Sequence, residues 1–506
     1  MDQVLQRIPV DLYSAESSRQ IDRNAIEQCN IPGYSLMSRA GNAVFDLIQQ
    51  HYALAKRMLV CCGAGNNAGD GYVVARLAIQ AGMDVHVVSM VDPRELKGDA
   101  QQAYQDWKSL GRQPVRFDEQ QLDHYDLVID ALLGTGLQRP VTGDWLRLID
   151  QINAHPVPVI AVDVPSGLNA DSGSIMGEAI RAQMTIGFIA MKKGLLTNDA
   201  ADCCGELYFA GLDVPEEAFE AVPVAACLLH WDDQLRHLRT RPRNSHKGRF
   251  GHLLLIGGDT GMAGAIRLAA EAALRSGCGM VSVCSREAHR TAILAGRPEI
   301  MMWSVEQEIP DHLLEQASAI VIGPGLGRGD WGRRLLQQVL DAEQPKLIDA
   351  DGLNLLSTQQ AARDDWILTP HPGEAARLLD EPAQQVQQDR YAAVQRLQKR
   401  YGGTSVLKGC GTIIQAPQQV PSVCAYGNPG MATAGMGDVL SGIIGSLLAQ
   451  GYAAPLAAEL GVVVHARAGD LAARDGELGL LAGDLFAPLR ELMNVRPGEV
   501  ENGRDR

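Results

Sequence analysis

The sequence predicts an α/β protein with two domains, each a mainly parallel β-sheet covered by helices. From Met58 onward, short apolar runs alternate with longer segments of helical period, and a second alternation of the same kind begins at His252. Between the two alternations lie residues 214–247. They are first rich in proline and acidic residues and then form a charged run without a strand period. We therefore place the domain boundary in this segment and expect domains at 1–217 and 226–502.

Composition narrows the class of function. The 506 residues are 46% apolar and 21% charged, as in ordinary globular proteins, and their formal net charge is −15. Such a charge repels phosphate backbones and anionic lipid surfaces, so we expect no nucleic-acid or membrane partner. The ten cysteines form no C-x-x-C pair, residues 1–9 lack the apolar segment of a secretory signal, and the longest apolar stretch, Val439–Ala449, is too short to span a bilayer. We expect a cytoplasmic protein with buried thiols.

The first alternation predicts the elements of one sheet and its helices. Strands are expected at Met58–Cys62, Val85–Ser89, Leu127–Asp130 and Val157–Val162. Helices are expected at Tyr72–Gln80, Gly98–Leu110 and Asp144–Asn153, with Gly82 and Gly111 closing the first two.

The second alternation predicts a larger sheet that is followed by two long helical segments. Its strands are expected at His252–Ile256, Met280–Cys284, Ala319–Ile322, Lys346–Ile348, Trp366–Leu368 and Ser405–Leu407.

A glycine-rich run, Gly63-Ala-Gly-Asn-Asn-Ala-Gly-Asp-Gly71, follows the first strand and opens a helix. Backbone N–H groups and the helix dipole attract phosphate at such a place. A dinucleotide-dependent dehydrogenase with Asp92 at the ribose is one interpretation, although Asn66, Asn67 and Asp70 crowd a turn that such enzymes keep nearly bare. A glycine turn with an Asx cap is the structural alternative.

Two more strand ends carry polar side chains. Asp130 begins the sequence Asp-Ala-Leu-Leu-Gly-Thr-Gly, and Asp163 begins Asp-Val-Pro-Ser-Gly, in which the serine is Ser166. Either aspartate alone is commonly a helix cap. Three such sites at the carboxyl edge of one sheet, supplying Asn, Asp and Ser oxygens, favour a hard-cation site beside a substrate crevice.

These three motifs resemble those of the NAD(P)H-hydrate epimerase family, G-N-N-G-G-D-G, D-A-x-x-G and D-x-P-S-G, over residues 11–213. The resemblance implies a Rossmann-like α/β/α domain in which Asn67, Asp130 and Ser166 bind K⁺. It implies that Asp163 manages protons as general acid and base while the ring hydroxyl leaves and returns as water. The residues implied to contact the hydrated nucleotide are Asn66, Asn67, Ala68, Gly69, Asp70, Gly134, Thr135, Gly136, Leu137, Gln138, Arg139, Pro140 and Asp163.

The sequence departs from this family at two places. Ala68 replaces a glycine, so the turn would be strained if that position needed a positive φ. Met191-Lys192 replaces the family's Pro-Lys, so the role of Lys192 stays open, and a solvated lysine is the structural alternative.

In the second half, a glycine-rich segment, Asn428-Pro-Gly-Met-Ala-Thr-Ala-Gly-Met-Gly-Asp438, leads directly into an apolar helix. Its N–H groups could form an anion pocket, and Asp438 could take the proton of a hydroxyl that attacks phosphorus or could simply be an N-cap. Lys408-Gly-Cys-Gly-Thr412 follows a strand and supplies a cation for a nucleotide phosphate. No P-loop motif is present.

These segments resemble the ribokinase-like superfamily. With His246–Gly248, Gly257–Ala265, Gly323–Gly327, Asp349–Asn354 and Thr369–Glu374, they resemble NAD(P)H-hydrate dehydratases over about residues 244–489. The residues implied to contact the hydrated nucleotide are Ala265, Gly327, His371, Pro372, Gly373, Glu374, Ala375, Ala376, Arg377 and Asp438. The residues implied to bind ADP, with Mg²⁺ on its phosphates, are Lys408, Gly409, Cys410, Gly411, Thr412, Asn428, Pro429, Gly430, Met431, Ala432, Thr433, Ala434, Gly435, Met436 and Gly437.

The resemblances together imply a bifunctional enzyme that interconverts the epimers of NADHX and NADPHX and dehydrates the S epimer at the expense of ADP. Two alternatives remain at this point: a ribokinase-like small-molecule kinase fused to a Rossmann-like regulatory domain, and a binding scaffold like that of mRNA-decapping proteins. Asn67, Asp130, Asp163 and Ser166 argue against the scaffold. We also expect a homo-oligomer.

Overall fold

The computed structural model describes residues 7–117, 119–359 and 361–495. The chain divides into two units, Met1–Cys227 and Leu228–Arg506. The expected domain limits, 1–217 and 226–502, stay a prediction, and their outer ends, residues 1–6 and 496–502, lie outside the described residues. No helix in the described part of the chain is both long and apolar enough to cross a membrane.

The first unit contains a six-stranded parallel sheet with the order β3-β2-β4-β5-β6-β7. Its strands are β2 (Arg57–Cys62), β3 (Asp84–Ser89), β4 (Leu127–Ala131), β5 (Val159–Val162), β6 (Met184–Phe188) and β7 (Glu206–Ala210). Two short strands pair apart from this sheet, β1 (Asp11–Leu12) and β8 (Ala226–Leu228). The helices are α1 (Ala15–Glu27), α2 (Gly33–His51), α3 (Asn66–Gln80), α4 (Gly98–Lys108), α5 (Gly143–Asn153) and α6 (Ala200–Cys203).

The strand order reverses between β2 and β4, and this is where ligands bind in open parallel sheets. The segments that follow β2 and β4 are in close contact, since a Cβ atom on Gly63 would lie 1.7 Å from the carbonyl oxygen of Leu132. Only glycine therefore fits at the end of β2. This reversal brings the first glycine-rich run and the loop after Asp130 to one edge.

The predicted strands of this unit are confirmed to within two residues, and β6 and β7 are additional. The predicted start of the first helix, Tyr72, is wrong because α3 begins at Asn66. The glycine-rich run therefore forms the first turn of a helix. Ala68 is buried there without a positive φ, so the expected strain does not arise.

The second unit contains nine strands in the order β17-β16-β15-β14-β13-β12-β9-β10-β11, of which β16 runs antiparallel to the others. They are β9 (His252–Ile256), β10 (Met280–Ser285), β11 (Met301–Ser304), β12 (Ala319–Ile322), β13 (Lys346–Ile348), β14 (Trp366–Leu368), β15 (Thr404–Leu407), β16 (Thr412–Gln415) and β17 (Ser422–Cys424). The six predicted strands are confirmed, and β11, β16 and β17 are additional. The strand order reverses between β9 and β12.

The helices of this unit cover its sheet. They are α7 (Trp231–Leu235), α8 (Ala263–Arg275), α9 (Arg290–Gly296), α10 (Asp311–Gln316), α11 (Asp330–Asp341), α12 (Ala350–Leu356), α13 (Pro372–Leu379), α14 (Ala383–Gln388), α15 (Arg390–Tyr401), α16 (Met436–Ala449), α17 (Ala454–Ala472) and α18 (Phe486–Leu492). Most of α16 is buried, and a Cβ on Gly442 would lie 2.1 Å from the carbonyl oxygen of Ala269 on α8. Close packing against α8 therefore fixes the position of the N-terminus of α16, which bears Asp438.

Candidate functional site

A cavity of about 840 Å³ lies at the carboxyl edge of the first sheet. Most of the implied epimerase residues line it, namely Asn66, Asn67, Asp70, Gly134, Thr135, Gly136, Leu137, Gln138, Arg139 and Asp163. Ala68, Gly69 and Pro140 are not among its lining residues. Ala68 and Gly69 are buried on the side of α3 that packs on the protein, where a Cβ on Gly69 would lie 2.5 Å from Met37.

Asp163 follows β5 and has a left-handed backbone, with a φ of 66°. Its Oδ1 accepts a hydrogen bond from the amide of Phe188 at 3.2 Å and another from the ammonium of Lys192. Lys192 is 2% exposed and also donates to the carbonyl of Phe188 at 3.1 Å. The alternative of a solvated lysine is therefore wrong, because this ammonium is buried against a carboxylate at the cavity wall.

Three further carboxylates line the same cavity, Asp22, Asp70 and Asp99, and the first two lie near Lys192. Burial and the neighbouring carboxylates Asp163 and Asp22 raise the pKa of Asp70 well above its usual value. Burial is the main cause that raises the pKa of Asp22 to about 6; Asp163 adds to this and Lys192 opposes it. One buried ammonium thus faces three carboxylates.

The three predicted cation ligands come together beside this cavity. The Ser166 amide donates to Oδ2 of Asp130 at 2.8 Å, and its hydroxyl donates to Oδ1 at 2.6 Å. The Asn67 amide group donates to the carbonyl of Leu133 at 3.2 Å, and the Leu133 amide donates to the hydroxyl of Ser166 at 2.8 Å. Both Asp130 and Ser166 are fully buried.

This oxygen set fits a monovalent cation. Burial raises the pKa of Asp130 to about 6 against the hydrogen bonds from Ser166 and Leu132, and no lysine or arginine of the described ranges pairs with it. The Oδ1 atom of Asn67 is buried and has no hydrogen-bond partner within the described chain. One carboxylate with neutral amide, hydroxyl and carbonyl oxygens is a suitable set of ligands for a single positive charge.

Asp92, the ribose ligand of the dehydrogenase alternative, has a local role. Its side chain accepts from the backbone amide of Arg94 at 3.0 Å and forms a forked ion pair with the Arg94 guanidinium. These hydrogen bonds lower the pKa of Asp92 to about 2. Asp92 is therefore a cap with its acceptors occupied.

A second ammonium, that of Lys408, lies among carboxylates at the carboxyl edge of the second sheet. Lys408 donates to Oδ1 of Asp349 at 2.8 Å and lies 3.9 Å from Oε2 of Glu374. Ser441 on α16 donates to Oδ2 of Asp349 at 2.8 Å. Burial opposes protonation of Lys408, but Asp349 and Glu374 raise its pKa above the usual value.

Asp438 is the third residue of α16 and belongs to this charged cluster. Burial raises its pKa to about 7, Asp349 and Glu374 add to the increase, and Lys408 opposes it. A carboxyl that changes charge near pH 7 is well placed to accept a proton. Its N-cap alternative is not supported, because the cap position belongs to Gly435.

The segment His371–Arg377 contributes through α13. The His371 side chain accepts from the amide of Gly373 at 3.0 Å, and the Glu374 carboxylate accepts from the amide of His371 at 2.9 Å, which together form a capping box. Burial and the cations Lys408 and Arg377 lower the pKa of His371. The imidazole is thus held uncharged beside the cluster.

The remaining implied dehydratase residues connect to this cluster through a chain of contacts. Arg377 donates to Asn354 at 2.7 Å, and Asn354 donates to Asp351 at 3.2 Å. Asp351 also accepts from the amide of Gly327 at 3.0 Å. Ala265 lies beside the same glycine loop, since a Cβ on Gly325 would lie 3.3 Å from its Cβ atom.

The two segments implied to bind ADP differ in what the structure shows. Residues 408–412 form the turn between β15 and β16, which the buried Arg390 supports by donating to the carbonyls of Leu407, Lys408 and Gly411. In the second segment, a Cβ on Gly437 would lie 3.3 Å from the Lys408 ammonium. Asn428 instead caps the 3₁₀ helix Pro429–Met431 and donates to Asp470 at 3.1 Å.

Sequence reasoning missed three residues of these sites. Asp349 follows an apolar strand, so the rule that selected Asp163 could have found it. Asp22 lies on α1, far from any glycine motif, and Arg390 lies in an ordinary charged helical segment; neither carried a signal that separates it from surface residues.

The comparisons with known proteins match both units. A model of the family described as NAD(P)H-hydrate dehydratase matches residues 253–490, and one described as YjeF-related protein N-terminus matches residues 33–194. A bifunctional NAD(P)H-hydrate repair enzyme of Coxiella burnetii is 47% identical over 96% of this chain and 99% of its own length. The corresponding Escherichia coli protein is 43% identical over 96% of this chain and 95% of its own length.

The chain belongs to the family of bifunctional NAD(P)H-hydrate repair enzymes. A member from Leishmania braziliensis is 36% identical over 98% of this chain and 95% of its own length. Among solved structures, an ADP/ATP-dependent NAD(P)H-hydrate dehydratase from Bacillus subtilis is 29% identical and covers 52% of this chain and 95% of its own, with a TM-score of 0.46.

The raised pKa of Asp438 predicts that this residue destabilises the fold. Between about pH 4 and pH 7 the folded chain holds a proton that the unfolded chain releases, so this group lowers the free energy of unfolding as pH rises. We expect Asp438→Asn to raise that free energy by on the order of 2 kcal/mol at pH 8 and to leave it unchanged below about pH 4. Urea denaturation of the full chain at both pH values measures this.

The matched control is Asp364→Asn, which removes an exposed carboxylate from the same unit. It should shift neither curve. An Asp438→Asn chain that is less stable than the parent at pH 8 would contradict the cost assigned to this buried carboxyl.

Proposed function

We propose that the chain repairs hydrated nicotinamide nucleotides in two steps. The first unit, expected to function over 1–217, interconverts the R and S epimers of NADHX and NADPHX. The second, expected over 226–502, converts the S epimer to NADH or NADPH while ADP becomes AMP and phosphate. The observation that carries the proposal is the Asp438 carboxyl, which has a pKa of about 7 and lies beside Lys408 in a chain of this family.

In the first unit, the polar groups at the cavity wall suit a ring hydroxyl that leaves as water and returns to the other face. Asp163, held by Lys192 and the Phe188 amide, is the carboxylate that accepts the proton of the incoming water. Asn66, Arg139 and the loop after Asp130 line the same cavity and would contact the nucleotide.

K⁺ would bind to Asn67, Asp130 and Ser166, and when bound it supplies a positive charge beside a fully buried carboxylate. The three side chains lie near the carboxyl ends of β2, β4 and β5. Through the backbone of Leu133 they hold the loop after β4 next to the cavity. Their proposed role is therefore to position this loop for the substrate.

In the second unit, Asp438 accepts the proton of the ring hydroxyl as its oxygen attacks the terminal phosphorus of ADP. The bond from that phosphorus to the bridging oxygen breaks and AMP leaves. The phosphate ester then leaves the ring as phosphate, the ring nitrogen supplies its electron pair, and loss of a ring proton restores the dihydronicotinamide. Mg²⁺ would neutralise charge on the nucleotide phosphates.

Lys408 and the N-terminus of α16 supply the positive potential that phosphate transfer requires. Gly437 lies next to the Lys408 ammonium, since a Cβ atom there would be 3.3 Å from that nitrogen. The Asp349 carboxylate holds Lys408 in this position. A cytoplasmic location and a homo-oligomeric assembly stay predictions from the sequence.

The test is incubation of the full chain with mixed NADHX epimers, ADP and Mg²⁺. We expect recovery of NADH absorbance with one phosphate released per NADH, and a dehydration rate that rises with pH through about 7 as Asp438 ionises. Asp438→Asn should lower that rate about 10²-fold or more while epimerisation continues, because the proton acceptor is lost only from the second unit. A stable phosphorylated product would instead identify a small-molecule kinase.

The cation proposal predicts that Asp130→Asn raises the K⁺ concentration for half-maximal epimerisation about tenfold or more, because the one carboxylate ligand loses its charge. Epimerisation is measured against K⁺ at constant ionic strength, and dehydration of the S epimer in the same preparation should not change. Asp150→Asn, at an exposed position of α5, is the control. An unaltered K⁺ dependence in Asp130→Asn would show that Asp130 does not bind K⁺ and has a purely structural role.

A further inference from the structure

Carboxylates outnumber cations at the wall of the epimerase cavity, which is lined by four aspartates and by Lys192, Arg19 and Arg139. Asp163 takes up the Lys192 ammonium directly. Asp22 and Asp70 line the same cavity, and within the described ranges neither carboxylate has a hydrogen-bond or ion-pair partner. Carboxylates without a partner, at the wall of a largely apolar cavity, are costly to a fold and are common where proton transfer occurs.

Helix α1 holds Asp22 firmly at this wall. Ser14 caps the helix by accepting from the amide of Ser17 at 3.0 Å, and Ile21 and Ala25 are buried in the core. Asn24 donates to the carbonyl of Ala218 at 2.9 Å. The face of α1 that bears Asp22 is therefore fixed toward the cavity rather than toward solvent.

Ser18 and Ile26, one turn before and one turn after Asp22, also line the cavity. Asp22 thus stands at the centre of a helical face that contacts the ligand space. It stands on a different element from Asp163, which follows β5.

Loss and return of water at one carbon require two proton transfers. The departing hydroxyl must gain a proton to leave as water, and the incoming water must lose one. Asp163 already accepts hydrogen bonds from the Lys192 ammonium and the Phe188 amide, so its oxygens are placed as acceptors and suit the second transfer and not the first.

We propose that Asp22 is the second proton-transferring residue of the epimerase site, donating to the departing ring hydroxyl while Asp163 receives the proton of the incoming water. The C–O bond breaks as the hydroxyl takes the Asp22 proton, which leaves water, a ring iminium and the Asp22 carboxylate. Water then adds to the other face and gives its proton to Asp163. Exchange with solvent returns both groups to their starting states. This inference rests on the proposed epimerase function.

The surroundings of Asp22 support a neutral, proton-bearing state. The charged groups that face it are Lys192, Asp163, Asp70, Arg23 and Arg19. All three cations have other partners, since Arg19 and Arg23 both pair with Glu16 and Lys192 pairs with Asp163. Burial therefore prevails and the pKa of Asp22 is about 6.

The experiment measures initial rates of epimerisation of R-NADHX by the full chain without ADP, with the uncatalysed rate subtracted. We expect Asp22→Asn to lower kcat about 10²-fold or more with KM within about threefold, and Asp22→Glu to recover part of the loss. The parent kcat/KM should fall as pH rises above about 6, and Asp22→Asn should lose this dependence. Glu27→Gln, at an exposed position of the same helix, should match the parent.

Dehydration of S-NADHX with ADP by the same preparations should not change, and an epimerisation KM close to that of the parent shows that the first unit is folded. Asp22→Asn activity within about threefold of the parent, or a loss confined to KM with an unchanged pH profile, would overturn the inference. A parent chain that does not epimerise R-NADHX at all would instead overturn the proposed function of the first unit.

Discussion

A lysine that pairs with a carboxylate at the end of a parallel strand organises each site. In the first unit this pair is Lys192 with Asp163, and in the second it is Lys408 with Asp349. Each ammonium permits further carboxylates to be buried nearby. Without it, the free energy needed to bury several carboxylates would exceed the free energy of folding. The unequal sharing of one positive charge then leaves some of these acids with raised pKa values, as at Asp22 and Asp438.

The topology explains why these groups meet. Both sheets reverse their strand order between two central strands, so loops from several strands and a helix N-terminus converge on one edge. Glycines follow the strands where two backbones nearly touch. At Gly323, for example, φ is 131° and a Cβ atom would lie 1.8 Å from the carbonyl oxygen of Asp349. The same close approach that requires glycine places the strand-end acids within reach of one ligand.

The sequence was sufficient for the fold class and for most strands, and its motifs contain several of the residues that the structure brings together at the two sheet edges. Asp130, Asp163 and Asp438 stand next to glycines or at the ends of apolar runs, where local geometry limits what a side chain can do. Asp22 and Arg390 could not be found in this way, because each reaches its site through the packing of a helix whose sequence looks amphipathic and ordinary. The buried state of Lys192 likewise depends on tertiary packing, since no local pattern marks a lysine as enclosed.

The measurement that tests this account most directly uses Lys192→Met in the full chain, with both reactions followed in one preparation. Methionine keeps the volume of the buried stem and removes the ammonium, so Oδ1 of Asp163 loses the charged hydrogen-bond donor that holds it at the cavity wall. We expect epimerisation of R-NADHX to fall about 10²-fold or more while dehydration of S-NADHX with ADP is unchanged. Epimerisation that stays within about threefold of the parent would contradict the claim that the lysine–carboxylate pair organises the site.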